Sequence, residues 1–448
     1  MTAQFAAHNT TRRALLRAAC ALTAAPALPS LAQGTEDYRA LVCIFLAGGC
    51  DGHNVLVPQS AAAYADYKRL RGGLALPDQS ASLLPITTPG GVPYALNSGL
   101  QTVHPLWAQG KLGAIANVGP LLVPTTRAQI TAGTATLPAN LFSHADQMQQ
   151  TQAGNGSGGG TGWGGRTADA LISRNGSSRF PAAISMSGGA LFTNGVQVPS
   201  ASLVPGFNLD VSGMNTWPAS ATAARAQALN EILALDGGVR LIQAANQVRR
   251  DALSLGTLLR SSGAGTVNTV FPGTDLGRQL QQVARVIALR AGVGVRRQVF
   301  FVQLGGFDTH SSQSWQQWDL LRQLGDAMGA FYTATVELGV APLVTTFTQS
   351  EFGRSLQPSG SGSDHGWGNH HLILGGSVKG GQVYGRFPYP ALGGADDANS
   401  RGVLIPSTSL EQFGATLARW FGLDATALAT AFPALAAFPT QDLGFMSS

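Results

Sequence analysis

Charge is what this 448-residue chain has least of. Asp, Glu, Lys and Arg make up 11% of it, against about 25% in a typical soluble domain. The net charge is +5, but Arg12, Arg13 and Arg17 stand in residues 1–32 with no acid among them, which leaves +2 on the remainder. No basic stripe runs along the chain, so nucleic acid is excluded as a partner. Cysteine is scarce too, with three in all. Cys20 lies in the first 32 residues. Cys43 and Cys50 lie on one strand-and-turn segment, too far apart to bridge if it is extended, so no disulfide framework exists. The apolar stretch Ala18 to Ala32 is too short and too rich in alanine to span a bilayer, and no stable membrane span is expected.

What the first residues do contain is Thr10-Thr11-Arg12-Arg13-Ala14-Leu15-Leu16, which resembles a twin-arginine export signal. Ser30-Leu31-Ala32 suits signal peptidase, so residues 1–32 are expected to be removed after Ala32. The export machinery is then a partner, and the mature protein is periplasmic or secreted from a bacterium.

Apolar residues make up 44% of the chain and glycine contributes 57 residues. That suits a large core with many tight turns. Arg39 to Ala47 reads as a strand buried on both faces, because Leu41 to Leu46 has no polar interruption. Lys111 to Val118, Gln298 to Leu304 and Leu343 to Phe347 read as further strands. Asp275 to Ala291 is an amphipathic helix, with Leu276, Leu280, Val283 and Ile287 at helical spacing. A helix is expected at about 314–338, and another opening at Ser143 as its N-cap. Thr408-Ser409-Leu410-Glu411 reads as a capping box. Gly154 to Gly159 matches G-x-G-x-x-G, but no strand precedes it, so it reads as a loop. The alternation predicts an α/β fold: a mostly parallel sheet with helices on both faces. One domain is expected over 38–440, with an inserted subregion at about 180–260.

Six of the eight histidines fall in four Gly-flanked stretches that each carry an Asp: Asp51-Gly52-His53, Ser143-His144-Ala145-Asp146, Asp308-Thr309-His310, and Asp364-His365 with His370-His371. Asp with neutral His is the usual ligand set for borderline divalent metals. Asp51, Asp308 and Glu351 each follow a predicted strand, where parallel sheets gather their sites. Paired cations about 4 Å apart can clamp the attacking and leaving oxygens of a phosphoryl or sulfuryl group.

Phe45-Leu46-Ala47-Gly48-Gly49-Cys50-Asp51-Gly52-His53-Asn54, Ser143-His144, Gly162-Trp163-Gly164-Gly165-Arg166, Gly305-Gly306-Phe307-Asp308-Thr309-His310, Ser350-Glu351-Phe352-Gly353-Arg354, Asp364-His365-Gly366-Trp367 and Gly375 to Gly381 together resemble the bacterial secreted family called domain of unknown function 1501. That family is similar in fold to the alkaline phosphatase and sulfatase superfamily. The resemblance implies an exported metal-dependent hydrolase of phosphate or sulfate esters. It implies that Asp51, Asp364 and His365 hold one divalent ion (Zn, Mg, Ca or Mn), and that Asp308, His310 and either His370 or His371 hold another. Ser143, at a helix start, is the expected nucleophile, with Thr126 its rival. His144, Glu351 and Arg354 are expected beside the chemistry. Two departures stand out: Asp308 and His310 are only two residues apart, and Asp364 comes thirteen residues after Glu351. A catalytically degenerate secreted binding or assembly protein on the same fold is the alternative.

Overall fold

The first strand shows why the sheet is covered on both sides. In β1 (Arg39–Leu46), Ala40, Val42 and Ile44 pack with Leu280, Val283, Leu321 and Phe331. Leu41, Cys43 and Phe45 pack on the opposite side with Phe301, Phe347 and Phe413. Successive strand residues point to opposite faces, so an unbroken apolar run demands a cover on each. The helices Asp275–Ala288 and Gln313–Glu337 supply one cover. Leu410–Phe421 and Trp163–Ala170 supply the other.

This computed structural model describes residues 37–447, other than 155–159, 206–212, 215, 236–237 and 261–265. The expected export signal and most of the glycine-rich 154–159 stretch lie outside the described residues. Tyr38–Ser448 forms one compact unit.

The remaining strands are β2 (Leu56–Pro58), β3 (Leu83–Ile86), β4 (Tyr94–Asn97), β5 (Leu112–Gly119), β6 (Ala183–Ser185), β7 (Ser200–Ser202), β8 (Arg297–Leu304), β9 (Val344–Gln349), β10 (Arg354–Ser359), β11 (Gly362–His365), β12 (Asn369–Gly375), β13 (Val383–Tyr384) and β14 (Thr408–Ser409). The main sheet runs β13-β5-β12-β9-β1-β8-β6-β7, with β14 also on β5. Its pairings are parallel except those of β12, which is antiparallel to both β5 and β9. The mostly parallel α/β sheet expected from the sequence is therefore the one observed. Because β12 runs backwards, its first residues, not its last, lie at the edge where its neighbours end. β10 and β11 form a separate hairpin, and β2, β4 and β3 a small antiparallel sheet.

Two expectations need correction. The stretch 180–260 divides: β6 and β7 belong to the main sheet, and the helices Thr222–Ala234 and Arg240–Arg260 follow it. Short strand-like runs concealed this, since β6 and β7 have only three residues each. The capping box is one residue later than expected, from Ser409 to Gln412. Ser409, the last residue of β14, is the N-cap, which leaves Thr408 one position outside the helix. Among the described residues no helix is long and apolar enough to cross a membrane.

Three interior histidines set a pH dependence. Burial pushes His53, His370 and His371 down to about 3, helped by the charge of Arg71 at His53 and by the neighbouring histidine at the other two. In the unfolded chain each takes a proton near pH 6.5. Between about pH 6.5 and 3 the unfolded state binds more protons, so stability is present above that window and is lost as pH falls through it. The slope is about 1.4 kcal/mol per pH unit for each histidine. Urea unfolding at pH 7.5 and 5.5 should show the midpoint falling, and His371→Leu should reduce the dependence by about a third of the three-histidine contribution. Equal midpoints at both pH values would contradict this.

Candidate metal centre

The site begins with a turn that only glycine can make. β1 ends into Gly48 and Gly49, with φ of +116° and +78°. A Cβ on Gly48 would lie 2.3 Å from the Asp308 nitrogen, and one on Gly49 would lie 2.3 Å from the Phe352 ring. Glycine tolerates both the positive φ and the contact. The turn thereby lies directly against the segment that follows β8, which carries Asp308, and the one that follows β9, which carries Glu351.

Arg354 fastens these segments together. It is fully buried. Its Nε donates to the Gly49 carbonyl at 2.8 Å, Nη1 to Ser363 O at 2.6 Å, and Nη2 to Gly48 O at 2.6 Å and Asp308 Oδ1 at 2.5 Å. Glu351 is equally buried. It accepts from the Gly48 N–H at 2.7 Å, from His144 Nδ1 at 3.0 Å and from the Ser350 hydroxyl at 3.2 Å. Glu351 and Arg354 thus serve different partners rather than pairing with each other.

Above this base His144, Asp308 and His365 converge, with one ligand atom from each all within 4.8 Å of one another. Asp308 Oδ2 lies 3.5 Å from His144 Nε2, and its Oδ1 lies 3.3 Å from His365 Nε2. His365 Nδ1 donates to the Phe142 carbonyl at 2.8 Å. Phe142 is held at φ +76° to present that oxygen, a backbone conformation that bulky residues rarely adopt. Both rings, when neutral, therefore carry their proton on Nδ1 and turn the Nε2 lone pair toward Asp308. His144 Nε2 is buried without a hydrogen-bond partner. His310 Nε2 completes the cluster, 3.0 Å from both Asp308 Oδ1 and His365 Nε2.

Burial favours the neutral imidazole at His365, while Arg354 favours the ionised carboxyl at Asp308. Burial lowers the His365 pKa, opposed by its bond to Phe142 and aided by His144 and Arg354. Burial pushes the Asp308 carboxyl up, but the hydrogen bond and charge of Arg354, with His310 and His144, outweigh it and hold it below the usual value. Three acceptors aimed at one point suit a divalent cation, and nitrogen and oxygen donors suit zinc or a similar borderline ion. The outer partners Glu351 and Phe142 O hold the two rings as second-layer groups do in metal sites.

The sequence-predicted ligands separate into those that gather and those that do not. Asp308, His310 and His365 gather, and His144 joins them. Asp364 stands at the rim, with Oδ1 3.8 Å from His310 Nδ1 and Oδ2 2.7 Å from Arg401. Asp51, expected as a ligand, is instead fully buried against Arg71 and accepts from Gln313 Nε2 at 2.5 Å. His370 and His371 were expected to offer a further ligand, but they are consecutive residues of β12 and face opposite sides. His370 accepts from the Asn117 N–H at 3.0 Å and stacks on Phe387, while His371 stacks on Phe413. Ser143 caps its helix, and its hydroxyl donates to Asp146 at 2.6 Å. Thr126 caps Arg127–Thr131 and lines a separate cleft of about 1060 Å³ that contains no cluster residue. Arg71, Gln313, Arg401 and the Phe142 carbonyl escaped the sequence reading, since nothing in their local pattern marks them.

Removing the Arg354 clamp should be costly. Arg354→Met leaves three backbone carbonyls and Asp308 without their donor, a loss of about 3 kcal/mol or more. Arg354→Lys cannot reproduce a planar fork and should recover only part of it. Chemical denaturation measures both, and a loss below about 1 kcal/mol, the size of one ordinary hydrogen bond, would show that the clamp is dispensable.

Several solved structures are similar to this chain. The sulfatase PsFucS1 from Pseudoalteromonas sp. is 10% identical, covering 92% of this chain and 74% of its own, with a TM-score of 0.33. Ps i-CgsB is 9% identical, covering 90% and 77%, with a TM-score of 0.37. The C-terminal periplasmic domain of EcEptC from Escherichia coli is 8% identical, covering 92% and 87%, with a TM-score of 0.34. Likeness at this level carries no statement about chemistry. No curated protein matches the chain. The family described as "Protein of unknown function (DUF1501)" matches residues 38–437, and the chain belongs to that family.

Proposed function

We propose that this protein is an exported, metal-dependent hydrolase of sulfate or phosphate esters, with its cation held by His144, Asp308 and His365. One observation carries the reading: two imidazole lone pairs, each fixed by a partner on its other nitrogen, point at one carboxylate. A divalent ion bound there would polarise the ester and lower the pKa of a bound water.

The chain's own residues prepare the rest. Glu351 keeps the His144 proton on Nδ1, and Phe142 O does the same for His365. Arg354 holds Asp308 ionised and in place. Ser143 is our choice of nucleophile. It is flanked on one side by Phe142, whose carbonyl holds His365, and on the other by His144. Its helix N-terminus favours a developing negative charge, although its hydroxyl must leave Asp146 to react. Thr126 has no bond to any cluster residue in the structure and is set aside. Export by the twin-arginine route, read from Arg12-Arg13, belongs to this proposal.

The test uses the full chain with 4-nitrophenyl sulfate and 4-nitrophenyl phosphate and added Zn²⁺, Mn²⁺, Mg²⁺ or Ca²⁺. One ester should be hydrolysed only with metal. Asp308→Asn should fall to background, and Ser143→Ala should lose about 10³-fold or more. Thr126→Ala should keep full rate. Hydrolysis that survives a chelator, or an Asp308→Asn variant as active as the parent, would overturn the reading.

A further inference from the structure

We infer that the centre holds a single cation, because the Arg71 guanidinium already occupies the place a second would need at Asp51. The inference rests on the metal centre proposed above and concerns how many ions it takes.

Each of the three aspartates first expected as ligands has its own arginine. Asp51 pairs with Arg71, Asp308 with Arg354 and Asp364 with Arg401. Asp51 and Arg71 are both fully buried. Arg71 Nη1 also donates to the carbonyls of Ser355 at 2.9 Å and Leu356 at 3.1 Å, so the guanidinium is fastened on three sides. Gln313 donates to the Asp51 carboxylate, and Gln317 donates to its carbonyl at 3.0 Å. The groups around Asp51 are thus amides and arginines, which are donors. A metal needs acceptors.

One atom argues the other way. Asp51 Oδ1 is buried without a hydrogen-bond partner, and a lone carboxylate oxygen is a candidate ligand. It does not suffice. An ion there would have to leave water for a site facing a fixed guanidinium, and like charges repel strongly where water is excluded. Among the described residues, His144, Asp308 and His365 are the one set of His and acid side chains that brings three ligand atoms together. Arg71 is therefore a built-in counter-charge that holds the turn after β1, and Asp51 is a positioning residue rather than a ligand.

The experiment is a calorimetric titration of the full, chelator-treated chain with Zn²⁺, with bound metal then counted by elemental analysis after gel filtration. The parent should take one equivalent. Asp51→Asn should also take one, with affinity changed less than about threefold, while its Tm falls by roughly 5–10 °C because Arg71 is left buried and unpaired. Asp308→Asn should take none. Two equivalents in the parent overturn the inference, as does loss of the single equivalent in a folded Asp51→Asn. If Asp51→Asn does not fold, the parent's stoichiometry alone decides. No uptake by the parent would refute the metal centre itself, an outcome distinct from a count of two.

Discussion

The carbonyl oxygens of Gly48, Gly49 and Ser363 and the carboxylate of Asp308 all end on one buried guanidinium, that of Arg354. Three stretches separated by up to about three hundred residues meet there. A turn ending in carbonyls is repelled by a carboxylate unless a donor lies between, and Arg354 supplies a fork of the right shape. Its burial keeps water from competing for those oxygens. The glycines of the turn contribute the other half of the constraint, since only they allow the backbone to approach Asp308 so closely.

From that base the ligand geometry follows. Glu351 sits on the Gly48 N–H, so the same turn that receives Arg354 also places the carboxylate that orients His144. Phe142, at the end of the loop before the helix His144–Ala153, aligns His365 through its carbonyl. Two histidines far apart in sequence are thereby given the same tautomer by unrelated partners. Such convergence is costly for packing alone, which needs no agreement between ring nitrogens, and is what a shared ligand requires.

Much of this was legible in the chain. The unbroken apolar run of β1, the amphipathic spacing of Leu276 to Ile287 and the Ser143 cap all follow rules with a simple geometric cause. Asp308, His310 and Glu351 come together at one edge because parallel strands deliver their following residues there. The same rule brings Asp51 to that edge, but there it is set against Arg71 rather than in the cluster. It says where a residue is delivered but not what neutralises it, and Arg71, twenty residues on at the end of a helix of ordinary composition, had no mark. His370 and His371 stand apart from the cluster for a different reason. Their strand is the one antiparallel member of the sheet, and alternate strand residues face opposite ways, so both lie in the interior on either side of it. Crowded acids need not be neutralised by metal alone, since arginines pair with three of them.

The central claim is that His144, Asp308 and His365 form a cation site. Diffraction from crystals soaked in zinc, collected on both sides of the zinc absorption edge, tests it most directly. One anomalous peak should lie between His144 Nε2, His365 Nε2 and the Asp308 carboxylate, within about 2.0–2.2 Å of each. A peak on Asp51 instead, or none at a zinc concentration that saturates the protein in solution, would contradict it.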